Sequence, residues 1–135
     1  MASIRREILI DASPGDVWAA VRDIGAIHKR LVPGFVVDTV LEEGARLVTF
    51  GNGMVVREVI VDLDDAARRL VWSARSERLA HHNASMQVFA EGENRCRAVW
   101  IADILPHAAA GPVGAMIDQG MATMKKTLEG AAIPG

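Results

Sequence analysis

Glu58 is the residue of this chain whose type and surroundings come closest to a catalytic carboxylate, set among the apolar residues of Val55–Leu63. Facing an apolar interior, such a group has its pKa raised by desolvation and can act as a general base or accept a ligand hydroxyl. Strand alternation groups Glu58 with Val56, Ile60 and Asp62, and Arg57 with Val55, Val59, Val61 and Leu63. The second set is the more apolar, so periodicity alone turns Arg57 inward. It leaves Glu58 to a surface ion pair worth about 0–1 kcal/mol. His81 and His82 invite a metal reading, but adjacent strand residues point to opposite faces and do not converge on one ion. No other His or Cys stands at ligand spacing, and no metal is expected. His82 shares a face with Ala84, Met86 and Val88, where it can bond a ligand or Glu58, or sit solvated at a strand end. Cys96, the only cysteine, excludes an internal disulfide and has no neighbouring base, so it reads as an inert buried thiol. Gly51-Asn52-Gly53 lacks the third glycine and following helix of a phosphate loop and reads as a hairpin turn. No nucleophilic triad shows in the neighbourhood of the serines.

These residues need a scaffold, and the length of 135 residues allows one domain, 1–135. Half the residues are apolar and 24% are charged, which is globular composition. Fifteen basic against seventeen acidic residues give a net charge of −2, so no basic excess points to nucleic acid. Apolar runs fall short of the ~18–20 residues a bilayer requires, and no membrane insertion is expected. Met1–Ile10 alternates like a strand and lacks the apolar core of a signal peptide. The expectation is a cytoplasmic protein. Homodimer formation stays open.

Ile4–Ala12 reads as a strand. Ser13-Pro14-Gly15-Asp16 opens a helix, with Ser13 as N-cap, Pro14 at the first position and Asp16 at the positive end. A short second helix over Gly25–Leu31 stops before Pro33-Gly34. The period then changes to about two, giving strands Phe35–Leu41, Arg46–Phe50, Met54–Leu63, Arg69–Ser76, His82–Ala90 and Arg95–Ile104. Short turns join them into an antiparallel meander. Pro112 starts a closing helix to about Glu129, with Val113, Ile117, Met121, Met124 and Leu128 in one stripe. The order is β-α-α-β₆-α and the class is α+β. Arg69, Arg75, Arg95 and Arg97 fall on outward phases and read as a solvated basic stripe.

This order resembles the helix-grip fold of the START-like (SRPBCC) superfamily, closest to bacterial polyketide cyclase/dehydrase-like proteins. Ser13-Pro14-Gly15-Asp16-Val17-Trp18 is similar to that family's strand-to-helix opening. Val56–Ile60 followed by Asp64–Trp72 resembles its hairpin, in which a glutamate precedes an acidic turn and an Arg-Arg-aromatic strand. Arg95–Trp100 resembles its last strand. The resemblance implies a curved antiparallel sheet of about seven strands wrapped around the long C-terminal helix, with two short helices after the first strand. It also implies a deep cavity for a largely apolar ligand, with Glu58 facing inward and Trp72 and His82 beside the ligand. Ala102 replaces the second acidic residue of the family's plant hormone receptors, so hormone sensing is not carried over.

The expected function is binding of a small, mostly apolar aromatic, polyketide-like or lipid molecule, without a cofactor. Glu58 is the candidate catalytic base for cyclisation or dehydration, as an inward carboxylate without a paired cation. Trp72, His82, Met86, Trp100, Ile117, Met121 and Met124 are the candidate ligand contacts, and the same residues serve equally as core. A non-catalytic carrier is the main alternative. A protein-interaction module using Val55, Val59, Val61 and Leu63 is another.

Overall fold

A computed structural model of the chain describes residues 1–132. The first strand, β1, runs Ala2–Ile10 and is followed by helices α1, Pro14–Arg22, and α2, Ile27–Arg30. Six strands follow: β2 Val36–Glu42, β3 Ala45–Phe50, β4 Val55–Asp64, β5 Arg69–Arg75, β6 His81–Ala90 and β7 Cys96–Leu105. A 3-10 turn over His107–Ala109 leads into the long helix α3, Ala110–Ala132. The strands form one antiparallel sheet in the order β1-β7-β6-β5-β4-β3-β2. The meander is thus continuous from β2 to β7, and β1 closes it by pairing with the last strand. This is the helix grip, a curved sheet holding α3.

Local chemistry sets the boundaries. Ser13 caps α1 by accepting the Asp16 N–H at 3.2 Å, and Pro14 occupies the first turn, where no N–H is needed. Pro112 lies inside the first turn of α3, so the helix begins at Ala110, earlier than the proline suggests. The loop between β2 and β3 is only Glu43-Gly44, with Gly44 at φ +68°, which a side chain would resist.

Side-chain phase follows from register. Ile4, Arg6 and Ile8 of β1 stand opposite Ala102, Trp100 and Ala98 of β7. Arg6 reaches Asp118 of α3 at 2.8 Å from that inner face, so α3 lies over the side that Trp100 shares. The core between them includes Ile10, Val17, Val21, Ala98 and Ile104, all 1% exposed or less. Trp18 of α1 is held to the β4–β5 turn by its indole Nε1–H, which donates to Asp65 at 2.9 Å.

The register of β4 shifts between Ile60 and Asp62, a β-bulge that leaves Val61 extra. Before the bulge, Val56 and Glu58 are buried while Val55 and Arg57 are exposed; after it, Leu63 packs on the core. The alternation of the whole segment therefore mixes two phases. Val55 and Val61 stay on the outer face, but Leu63 does not join them, so the proposed four-residue apolar patch does not form.

Candidate functional site

Between the concave face of the sheet and α3 lies a cavity of about 300 Å³. Its wall is built from both ends of the chain. Val21, Ile27 and Leu31 come from the first two helices, Val48 and Phe50 from β3, and Val56 from β4. Leu70, Trp72 and Ala74 of β5 face Met86 of β6 and Trp100 of β7. Helix α3 closes it with Val113, Met116 and Met124. Trp72 and Trp100 meet edge to face at 5.7 Å, and Phe35 meets Phe50 the same way at 5.5 Å. Exposed Arg78, on the β5–β6 loop, and Pro112, at the start of α3, mark the rim.

Of the residues singled out from the sequence, Glu58, Trp72, His82, Met86, Trp100 and Met124 lie on this wall. Ile117 and Met121 do not. They are buried at 3% and 2% exposure, in the core beside the cavity and not on its wall. Gly120 lets α3 approach closely, since a Cβ there would come within 3.1 Å of Trp100 and 3.2 Å of Phe35.

Glu58 faces the cavity, yet it is not the lone carboxylate expected. Arg46 of β3 stands directly opposite it in the register and donates from Nε to Oε1 at 2.8 Å. The two are 4% and 8% exposed, so this is a buried ion pair in an apolar wall. The guanidinium also lies 5.8 Å from the Trp72 ring centroid and donates weakly to the Ile24 carbonyl. Arg46 was missed because it opens a strand in the sequence. The hairpin at Gly51-Asn52-Gly53 carries the signal: Arg46 and Glu58 are each six positions from Asn52, which puts them face to face.

His81 and His82 point apart, the first exposed and the second half-buried. Burial pushes the His82 imidazole down to about 4, helped by neighbouring His81, so it is neutral at physiological pH. Its Nδ1 accepts the Ala74 N–H at 2.9 Å, which fixes the proton on Nε2. His82 thus offers the cavity wall a donor. The indole Nε1 of Trp100 is buried without a hydrogen-bond partner among the described residues. Cys96 is fully buried and its thiol is pushed up to about 11 by burial. Among the described residues no three His, Cys, Asp or Glu side chains stand together as metal ligands. No helix among them is long and apolar enough to cross a membrane. Arg95 pairs with Asp11, and Arg97 with Glu7 and Glu91, so that part of the basic stripe is internally neutralised.

A seven-stranded sheet gripping a C-terminal helix over an internal cavity defines a START-like protein. The chain belongs to the polyketide cyclase / dehydrase and lipid transport family, whose pattern matches residues 1–129. Among solved structures, a Thermobifida fusca protein is 28% identical with a TM-score of 0.77, covering 96% of this chain and 91% of its own. A START superfamily protein from Mycobacterium smegmatis is 11% identical with a TM-score of 0.72, covering 96% of each chain. BexL, a di-domain aromatase/cyclase of the BE-7585A biosynthetic pathway, is 19% identical with a TM-score of 0.79. There the match covers 99% of this chain and 48% of BexL, about one of its two domains. No curated protein matches the chain.

Proposed function

We propose that the protein binds a small, mostly apolar molecule in the cavity between the sheet and α3. The carrying observation is the wall itself: about 300 Å³, apolar except for the buried Arg46–Glu58 pair, the His82 imidazole, and Ser76 and Arg78. That volume is at the small end of ligand sites, which run from about 300 to 1,000 Å³. It suits a ring system of two or three fused rings better than a long acyl chain. Apolar walls supply the affinity, and the few polar groups set orientation. A wall with converging polar groups favours an oriented ligand over the indiscriminate hydrocarbon held by a simple carrier.

The test is mass spectrometry under native conditions on protein purified without detergent, beside the Ala74→Leu variant. Ala74 stands opposite Glu58 on β5 and lines the cavity, so a leucine there takes up part of its space. An apolar molecule retained by the wild type and lost by the variant supports the reading. Equal retention by both refutes it.

A second reading, cyclase or dehydratase chemistry, draws on one observation: a carboxylate and a guanidinium meet at one point of the cavity wall. There Glu58 would take a proton from carbon while Arg46 stabilises the enolate oxygen that forms. Membership in a family that includes cyclases and dehydrases supports this reading. Glu58→Gln separates the two: a base loses turnover with binding kept, whereas a binding group changes only affinity.

A further inference from the structure

We propose that the Arg46–Glu58 pair reads an uncharged hydrogen-bonding edge on the ligand, one that carries an acceptor and a donor side by side. This rests on the cavity being a ligand site, and it specifies what that site selects. The pair uses only part of its capacity. Arg46 spends Nε on Glu58 Oε1 and Nη1 on the Ile24 carbonyl, and among the described residues neither Arg46 Nη2 nor Glu58 Oε2 has a hydrogen-bond partner. Neither atom is sealed in protein, because the sole sealed orphan among the described side chains is the indole nitrogen of Trp100. Both residues are more than nine-tenths buried and both line the cavity, so the space these two atoms meet is the cavity.

A free donor on Arg46 therefore stands next to a free acceptor on Glu58, joined through the 2.8 Å bond between their parent groups. In water both would be solvated. Inside an apolar wall, each loses hydrogen bonding unless the ligand supplies it. Charge decides which ligand can. An anion that satisfies Arg46 brings its charge against Glu58, and a cation that satisfies Glu58 meets Arg46. A neutral edge satisfies both at once: a carbonyl oxygen toward Nη2 and an N–H or O–H toward Oε2, as in a carboxamide, a lactam or a hydroxy-carbonyl. Trp72 packs under the guanidinium and holds it in place, which keeps the edge preformed.

Three probes sharing one bicyclic body test this: 2-naphthamide, 2-naphthoate and 2-ethylnaphthalene, titrated by calorimetry and by quenching of the cavity tryptophans. The amide is expected to bind at least tenfold more tightly than the hydrocarbon, and also more tightly than the carboxylate. In Arg46→Met/Glu58→Leu the ratio of amide to hydrocarbon affinity should fall to about one. Glu58→Gln, which keeps shape and removes the charge, should move naphthoate ahead of the amide. An amide no tighter than the hydrocarbon overturns the proposal, as does naphthoate binding best to the wild type, or an amide advantage that survives in the double variant. If hydrocarbon binds and the amide gains nothing, only the edge reading fails. If none of the three binds, the cavity reading fails with it.

Discussion

The backbone N–H of Ala74 donates to Nδ1 of His82 at 2.9 Å, tying β5 to the start of β6 through a side chain. That bond needs the unprotonated nitrogen, and burial lowers the imidazole to about 4 from an ordinary 6.5. Between those values the unfolded chain binds a proton that the native chain refuses. Stability therefore rises with pH across this window and is lost on acidification, by about 1–3 kcal/mol with the partial solvent access of the site allowed for. Urea unfolding at pH 7 and pH 4.5 should show a smaller drop for His82→Gln, whose amide oxygen still accepts from Ala74. An equal drop in both proteins would remove His82 as the cause.

Breaking the buried pair from one side should be costly. Arg46→Met leaves Glu58 charged in an apolar wall, and losing one partner of such a pair typically costs about 3–5 kcal/mol. The double variant Arg46→Met/Glu58→Leu removes both charges and should recover most of that loss in chemical denaturation. A double variant as unstable as the single would mean that the pair stabilises the fold by more than mutual neutralisation.

Asp65 joins the β4–β5 turn to α1 by accepting from Arg22 Nε at 2.7 Å and from Trp18 Nε1 at 2.9 Å. The Arg22 bond first, and then the Trp18 bond, hold the carboxyl below its usual 3.8. A lowered carboxyl contributes stability above its ordinary value and loses it as pH falls through the native one. Asp65→Asn should lower the melting temperature at pH 7, and the gap to wild type should narrow below about pH 3.8. A gap independent of pH would assign the effect to packing instead of charge.

Gly120→Ala exchanges a helix-interior glycine for a better helix former, a gain of up to about 1 kcal/mol. Its methyl presses on the rings of Trp100 and Phe35, both of which line the cavity. The expected outcome is unchanged or slightly higher thermal stability with at least threefold weaker ligand binding. Tighter binding would place Gly120 away from the ligand space.

Most of the fold was legible because the punctuation is local: Ser13-Pro14 opens α1, Pro33-Gly34 ends the helical stretch, and short Gly and Asn turns separate the strands. The phase of β4 was not. Its bulge at Val61 inserts one residue, so the alternation of Val55–Leu63 averages two opposite faces and favours the wrong one for Glu58. Family resemblance gave the inward phase correctly. The partner of Glu58 was hidden for a different reason, since Arg46 becomes its neighbour only through strand pairing. On α3 the apolar stripe marks what is buried without distinguishing core from cavity, so Met124 and Ile117 look alike in sequence and part company in space.

The pairing of β1 with β7 sets Ala2 beside Ile104 and Ile10 beside Cys96. During synthesis β1 is made first and finds its only neighbour in the sheet last, after nearly the whole meander has emerged. Contacts this distant along the chain slow folding, because loop closure comes before any gain from pairing. Until then β7 is an open edge, with unpaired backbone N–H and C=O groups ready to template another chain. Nascent protein is therefore most exposed to aggregation late in translation. A permuted chain that begins at Val36 and joins α3 to β1 by a flexible linker would place β1 after β7, and should fold faster while keeping the same sheet.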